Sequence, residues 1–471
     1  MSREDCHGYI AALRIVIRVW DVWRRAAQKR GALLHRALVN EPGTCIRRLG
    51  GGKRSREMRF TRFLRHPAVT PEAIFATAGE RTKGLAAGRD VLAIQDSSDL
   101  VLGGTRRRRQ GFGPVGKGGA VRGLTLHAVL AVDAHSGEVL GLSGGEVWNR
   151  TGGKVSPHAG RNLEDKESLR WITGAETASR VLTRAASITV VADRESDMYE
   201  EYARRPANVH LLTRMHHNRC LVDGQKLHDQ LDARPPAGDL ELVDIAAKPG
   251  QPARQAKLAL RFCKVEVKAP HRGMPTDALR RLPPTCMLWA IDIREVGAPE
   301  TAKPVHWRLL STRAVEDRAA ALAMLRLYRM RWTIEEYFNS LKSGGFNIEE
   351  AAIGEPGAMM TLTAAAAVAA VTVMQLVKAR DNPKGQTINV VFNTLDRKIM
   401  AIINADYEGP NPRPRQKNPH PSDSLAYATW VVGRLGGWTG YYDKPGPKTL
   451  TAGLRKFDTI RQGAVMMRKD M

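Results

Sequence analysis

The stretch DVLAIQDSSDL (residues 90–100) contains a short apolar run that is followed by an acidic residue. Val91–Ile94 has the composition of a buried strand, and Asp96 comes two residues after it. The stretch SITVVADRESDMYE (residues 187–200) repeats this arrangement, since Asp193 directly follows the run Ile188–Ala192. We therefore predict that both aspartates lie where a strand gives way to a loop, the edge of the sheet at which α/β proteins bind their ligands.

Apolar runs on either side of these stretches predict a mixed α/β sheet. The predicted strands are Val91–Ile94, Leu124–Val132, Val139–Leu142, Ile188–Ala192 and His210–Thr213, with helices near Lys166–Ala185 and Asp197–Arg205. If the strands of Asp96 and Asp193 are neighbours, they lie ~4.8 Å apart and the two carboxylates could share one cation. A turn former or a helix cap is the alternative for each aspartate. Asp197, with Glu200 three residues later, is predicted to be such a cap, which leaves Asp193 without a structural role.

A third acidic candidate lies in YRMRWTIEEYFNSLKSG (residues 328–344). On one continuous helix, at ~100° per residue, Tyr328, Arg331, Glu335 and Lys342 fall within an arc of about 60°. Glu336 points about 100° away from Glu335, so Glu335 is the better candidate. One acid among cations suits a metal-bound phosphate site, while a solvated charged face is the alternative.

The charge balance predicts a polyanionic partner. The chain has 471 residues, with 73 Lys and Arg against 48 Asp and Glu, which gives a net charge of +25. An apolar fraction of 43% argues against a disordered chain, and the positive charge favours nucleic acid as the partner. Ribosome-like proteins carry similar charge, so the charge specifies no reaction. The glycine-rich loop that contains Arg106–Arg109 lacks P-loop spacing, and it is predicted either to contact phosphate or to be solvated.

Three regions follow from the distribution of these patterns. Residues 1–80 are predicted to be a helical domain, residues 81–380 the sheet domain with a β insertion at about 215–312, and residues 381–471 a C-terminal helical domain. The insertion rests on the runs Leu240–Ile245, Leu258–Val267, Met287–Val296 and Trp307–Ser311, and further helices are predicted at Arg313–Lys342 and Ala358–Ala379. Ala358–Val377 has the length of a membrane span, but its Ala and Thr content favours a buried helix. Five scattered cysteines fit a reducing cytoplasm.

Three motifs in this order carry a resemblance to a known family. AIQDSS (93–98), VADRESD (191–197) and the spacing Y-x2-R-x3-E-x6-K resemble the DDE signature and the YREK motif of cut-and-paste bacterial transposases of insertion-sequence family four. The resemblance extends from about Phe60 to Trp438. It implies a ribonuclease-H-like core in which Asp96, Asp193 and Glu335 hold two Mg²⁺ (or Mn²⁺) ions. It also implies that the protein nicks transposon ends, forms and reopens a hairpin, and joins the ends to target DNA.

The resemblance assigns further roles by position. Tyr328, Arg331 and Lys342 match residues that grip phosphates, Trp307 and Trp332 match aromatics that handle a flipped base, and Arg214 matches a DNA contact. The implied partners are the terminal inverted repeats, bound by the N-terminal helices, the target DNA and a second copy of the chain in the DNA complex. No membrane is implied, and the expected location is the bacterial cytoplasm at the nucleoid. A structure-selective ribonuclease-H-like nuclease and a non-catalytic domesticated DNA-binding protein are the alternatives.

Overall fold

The computed structural model describes most of the chain beyond residue 27. The described residues are 28–41, 43–105, 109–150, 162–245, 252–270, 280–300, 302–410 and 416–467. The start of the predicted N-terminal helical domain and Arg106–Arg108 of the arginine series lie outside these residues.

Ten strands form one mixed sheet, which confirms the α/β class. They are β1 (Asp90–Val101), β2 (Gly113–Val115), β3 (Val121–Asp133), β4 (Val139–Trp148), β5 (Ser187–Ala192), β6 (His210–Arg214), β7 (Glu241–Ile245), β8 (Arg254–Lys268), β9 (Thr285–Glu295) and β10 (His306–Ser311). Their order is β2-β3-β1-β5-β6-β10-β9-β8-β7, and β4 also pairs with β3. β1, β5 and β6 run parallel, whereas β1 and β3 are antiparallel. β10 joins the antiparallel strands β7–β9 to β6, so the sheet continues without a break.

Helices surround this sheet. They are α1 (28–40), α2 (Ile46–Leu49), α3 (Arg54–Leu64), α4 (Pro71–Leu85), α5 (Leu169–Val181), α6 (Tyr199–Arg204), α7 (Leu227–Asp232), α8 (Arg318–Arg329), α9 (Trp332–Lys342), α10 (Pro356–Ala379), α11 (Thr394–Glu408), α12 (Leu425–Leu435) and α13 (Pro447–Met467). Thr70 caps α4 by accepting a hydrogen bond from the Ala73 N–H, and Pro71 is the first helical residue. Both features follow from the sequence, because Thr is a favourable cap and Pro loses no hydrogen bond there.

The two faces of the sheet bury two separate apolar clusters. Leu92 and Ile94 of β1 belong to the cluster that also contains residues of α8–α10, α12 and α13. Val91 and Ala93 belong to the other cluster, which contains residues of α5 and α6. This alternation is the two-residue period of a strand, and it determines the face on which each later residue of β1 lies.

The long apolar helix α10 is a core helix. Its most apolar 18-residue window is 89% buried, which confirms the prediction of a buried helix rather than a membrane span. The C-terminal helices pack against it, and the Thr429 hydroxyl of α12 donates a hydrogen bond to the Leu376 carbonyl at 3.2 Å. One apolar cluster includes Phe63, Leu362 and Val431, so the three predicted regions share a core. The boundaries at residues 80 and 380 stay predictions.

Candidate functional site

Asp96 and Asp193 lie at the same level of two neighbouring parallel strands. The β1–β5 pairing includes Ile94 opposite Val191, and each aspartate comes two residues later on its own chain. Ile94 and Val191 belong to the same apolar cluster, so the strand period directs both aspartates to that face. Their strands are therefore neighbours, which is the condition under which the two carboxylates could share one cation.

Asp96 does not lie at the end of its strand, and that prediction is wrong. β1 continues to Val101 because the long antiparallel partner β3 extends beside it, with Asp96 opposite Ala128 and Leu100 opposite Leu124. β5, in contrast, ends at Ala192. The Asp96 carboxylate therefore projects from a paired strand just beyond the end of its other neighbour, which gives it a rigid backbone.

The structure reverses the capping roles predicted for Asp193 and Asp197. Asp193 caps the short 3-10 turn Arg194–Ser196, where its carboxylate accepts a hydrogen bond from the Glu195 N–H at 2.8 Å. It therefore has a structural role that the sequence did not predict. A capping role and a site role are compatible, because the second carboxylate oxygen remains available.

Asp197 does not cap α6, whose cap position is Met198. Its carboxylate is buried and accepts hydrogen bonds from the His216 and His217 N–H groups at 2.7 and 3.0 Å. It also pairs with the buried Arg219 guanidinium. Although burial opposes it, the Arg219 charge and these hydrogen bonds hold the pKa of Asp197 below its usual value. Asp197 thus connects the turn after β5 to the loop after β6.

The helix predicted over Arg313–Lys342 is two helices, so the prediction of one continuous arc is wrong. α8 begins at Arg318, with Asp317 as its cap, and ends at Arg329. Met330 and Arg331 form a tighter turn in which the Arg331 N–H donates to the Tyr328 carbonyl at 3.0 Å. A turn of this 3-10 type places residues three apart directly above one another. Arg331 therefore stays beside Tyr328 although the helix is interrupted.

Arg331 connects the helical part of the site to the sheet. Its guanidinium lies 3.2 Å from Oδ2 of Asp96 and forms a second ion pair with Glu335. The Arg331 side chain is 14% exposed, so this contact is largely shielded from water. Glu335 is thus brought to Asp96 from a position 239 residues away in the chain. Glu336 points away and pairs with Lys378 at 2.6 Å, which confirms the predicted difference between the two glutamates.

The other two acids contribute to a shifted pKa at Asp96. Burial, together with the negative charges of Asp193 and Glu335, raises the pKa of Asp96 to about 7 against the opposing effects of the Ser97 N–H and Arg331. A carboxylate that titrates near neutrality among like charges is typical of a functional site. The charges of Asp193 and Glu335 therefore lie close enough to Asp96 to affect its pKa.

Arg214, Trp307 and Tyr328 extend the same face across the next strands. Ala192 lies opposite Thr213, which makes Arg214 the level neighbour of Asp193. Leu309 lies opposite Arg214 in the next strand, and Trp307 is two residues earlier on that strand. The Trp307 ring contacts the ring of the buried Tyr328 edge to face, with centroids 5.6 Å apart.

Lys342 and Trp332 lie at the edges of the candidate site. The Lys342 ammonium donates to the Asp99 carbonyl at 2.6 Å, three residues along β1 from Asp96, and lies 3.8 Å from Glu349. Trp332 is exposed, with 53% of its surface accessible to solvent. Arg109 is buried, and its guanidinium donates to the carbonyls of Gly103, Ala351 and Ile353. Because it is buried, Arg109 neither contacts a phosphate nor is solvated, which were the two roles predicted for its loop.

A polar network that the sequence did not predict lies on the opposite face of the sheet. Gln95 lies fully buried behind Asp96 and contacts both His127 and Glu201. Burial raises the pKa of Glu201 to about 8 and lowers that of His127 to about 3. Glu201 falls within a run of charged residues in DMYEEY, and this pattern gives no signal of burial.

The three acids carry the type of donor atom that a hard divalent cation prefers. Asp96, Asp193 and Glu335 supply carboxylate oxygens, which suit Mg²⁺ and Mn²⁺, and the raised pKa of Asp96 indicates negative charge that a cation would neutralise. Among the described residues, no group of three or more His, Cys, Asp or Glu side chains is close enough together to hold a metal ion. The Arg331 guanidinium lies between two of these acids and provides the positive charge there.

No model of a known protein family matches this chain.

Proposed function

We propose that this chain is a DDE transposase that performs metal-dependent phosphoryl transfer on DNA. The strand order β4-β3-β1-β5-β6 supports a ribonuclease-H-like core, because β4, β3 and β1 are antiparallel and β5 and β6 run parallel to β1. The order expected of that core places its acidic residues on the first strand, after the fourth strand and on a later helix. Asp96, Asp193 and Glu335 have these positions.

One observation carries the proposal. Three carboxylates that are 97 and 142 residues apart in sequence lie on one face of the sheet, where burial and the charges of Asp193 and Glu335 raise the pKa of Asp96. A fold held by packing alone has little reason to place three acids together, since like charges destabilise one another. The net charge of +25 supports a polyanionic substrate.

The chemistry divides between the acids and the surrounding cations. Asp96, Asp193 and Glu335 would hold two Mg²⁺ or Mn²⁺ ions, which activate the attacking oxygen and stabilise the leaving oxygen when bound. Arg331 pairs with both Asp96 and Glu335 and so fixes their relative positions. Its positive charge lies at the carboxylates, where a phosphate would approach. Arg214 and Lys342 would contact phosphates on either side of this point. Cutting transposon ends, forming and opening hairpins and joining target DNA would reuse this one site.

The test compares two adjacent glutamates. The substrate is linear DNA that carries the inverted repeats flanking the gene, and nicking, hairpin formation and joining are measured with Mg²⁺ or Mn²⁺. Glu335→Gln is expected to bind this DNA and to lose all three steps together, because each depends on the same ions. Glu336→Gln is the matched control, since Glu336 lies on the same helix but pairs with Lys378. Asp193→Ala is expected to behave like Glu335→Gln.

The outcomes separate the alternatives. Cleavage by Glu335→Gln near the wild-type rate would refute the assignment of the site. Metal-dependent cleavage by the wild-type protein without hairpin formation or joining would favour a structure-selective nuclease. DNA binding without any cleavage by the wild-type protein would favour a non-catalytic DNA-binding protein.

A further inference from the structure

The buried Glu201 carboxylate bridges the two chain segments that carry Asp96 and Asp193. Its Oε1 accepts a hydrogen bond from Nε2 of Gln95 at 3.2 Å, and its Oε2 accepts one from the Ser196 hydroxyl. Gln95 directly precedes Asp96, and Ser196 ends the 3-10 turn that Asp193 begins. Glu201 itself is 1% exposed. One side chain on α6 therefore holds β1 and the turn after β5 from behind the sheet.

A directed chain of hydrogen bonds fixes the other end of Gln95. Oε1 of Gln95 can only accept, so Nε2 of the neutral His127 carries the proton in their 3.3 Å contact. Nδ1 of His127 then accepts from the Ser97 hydroxyl at 2.9 Å, and Ser97 accepts from Nε of Arg170 at 2.8 Å. The orientation of the Gln95 amide is thus determined, with its NH₂ group directed at Glu201.

The surrounding residues pack closely against the Gln95 amide. A Cβ atom on Gly174 of α5 would lie 2.1 Å from Oε1 of Gln95, so only glycine permits the observed approach. Asp197, next to Ser196, is anchored by Arg219 and by the His216 and His217 N–H groups. The turn that carries Asp193 is therefore fixed at two adjacent residues.

We propose that Glu201 is a positioning residue that sets the spacing between Asp96 and Asp193 and thereby the affinity of the site for a divalent cation. This inference rests on the proposed function, because it assumes that these acids hold the metal. Its mechanism is indirect, since Glu201 lies on the opposite face of the sheet and contacts neither aspartate. Residues that orient metal ligands typically change metal affinity by about 10–100-fold when they are removed.

The elevated pKa of Glu201 indicates which replacement should preserve the bridge. Burial raises this pKa to about 8, so the carboxyl group is largely neutral at pH 7, and its O–H then donates to the Ser196 oxygen in the same contact. Glutamine is neutral and has the same length, and its amide can accept from Gln95 and donate to Ser196. Glu201→Gln should therefore preserve both contacts, whereas Glu201→Ala removes them.

The experiment measures Mn²⁺ binding to the full chain without DNA by electron paramagnetic resonance, together with thermal stability. Glu201→Ala is expected to raise the Kd for Mn²⁺ by at least about tenfold, and Glu201→Gln to stay within about threefold of wild type. Gln375→Ala is the matched control, because it removes a side chain of α10 that is 2% exposed and donates to the Leu140 carbonyl of β4. It should lose stability without a change in Kd.

A second variant covers failure of Glu201→Ala to fold. Ser196→Ala removes one hydroxyl at a fully buried position and breaks one arm of the bridge with little change in volume. It should raise the Kd by about threefold or more. An unchanged Kd in folded Glu201→Ala or in Ser196→Ala would overturn the positioning role and leave the proposed function standing. Wild-type protein that binds Mn²⁺ no better than Asp193→Ala would overturn the proposed function and this inference with it.

Discussion

Replacing Asp96 by asparagine is expected to stabilise the protein in the absence of divalent metal. Burial and the charges of Asp193 and Glu335 raise the pKa of Asp96 from 3.8 to about 7. One pH unit corresponds to about 1.4 kcal/mol, so the ionised carboxylate destabilises the folded state by up to roughly 4 kcal/mol. Asparagine removes this charge and keeps an oxygen that can accept from the Ser97 N–H. Because Arg331 also loses one of its two anionic partners, we expect a net gain of about 2 kcal/mol.

The sign of this effect depends on pH. Below pH 4 both the folded and unfolded states carry a protonated Asp96, and the variant gains nothing. Between pH 4 and pH 7 the unfolded state loses the proton first, so the wild-type protein becomes less stable relative to Asp96→Asn as the pH rises. Above pH 7 the difference is constant. Thermal unfolding in EDTA should therefore show a higher midpoint for Asp96→Asn at pH 8, and a smaller difference at pH 5.

Asp99 provides the control on the same strand. Although burial opposes it, hydrogen bonds from the Gly116 N–H and the Thr125 hydroxyl, with the charge of Arg150, hold the pKa of Asp99 below its usual value. Asp99→Asn should therefore destabilise the protein at pH 8. A variant Asp96→Asn that is no more stable than wild type at pH 8, or that gains equally at pH 5, would refute the electrostatic reasoning. Mn²⁺ at a concentration 100 times its Kd should stabilise the wild-type protein by about 2.7 kcal/mol. The same Mn²⁺ should not stabilise Asp96→Asn.

Three further outcomes are expected. End-DNA binding should weaken with salt, with log K falling by ~0.9 per neutralised phosphate for each tenfold rise in salt, and filter binding over a salt series measures this slope; a flat series would exclude an electrostatic role for the +25 charge. Trp307→Ala should keep the first nick and lose roughly tenfold in hairpin formation, which corresponds to ~1.4 kcal/mol; equal losses in both steps would assign Trp307 to packing against Tyr328. Asp197→Ala should lower stability by about 3–5 kcal/mol in thermal unfolding, because Arg219 is left buried without its carboxylate; a loss under 1 kcal/mol would contradict this.

Local pattern predicted the strands that carry Asp96 and Asp193, but it failed where a distant partner decides the structure. The run Val91–Ile94 is apolar enough to identify a strand, and the residues after it are polar enough to suggest a loop. β1 nevertheless continues, since β3 supplies hydrogen-bond partners as far as Val101. The prediction for Arg109 failed for the same reason, because its hydrogen-bond partners include the carbonyls of Ala351 and Ile353, more than 200 residues away.

The helix interruption at Met330–Arg331 had no sequence signal either. Neither Pro nor Gly is present there, and the spacing Y-x2-R-x3-E alone fits a continuous helix. The roles of Asp193 and Asp197 were exchanged because capping residues are predicted from spacing, whereas the actual cap begins one turn earlier. Burial of Asp197 depends on Arg219, which reaches it from the loop after β6.

The site combines electrostatic repulsion with mechanical rigidity, and the two features require each other. Carboxylates whose negative charges repel one another would separate if their backbones could move, because separation lowers the repulsion at little cost in a flexible loop. Here Asp96 is held by β3 on one side, Asp193 by its turn, and both by Glu201 from behind. The folded state therefore keeps the repulsion between the carboxylates, and the site attracts positive charge. Arg331 supplies part of that charge. A divalent cation carries twice that charge on a smaller radius, so a rigid site of this kind gains more from the cation than a flexible one would.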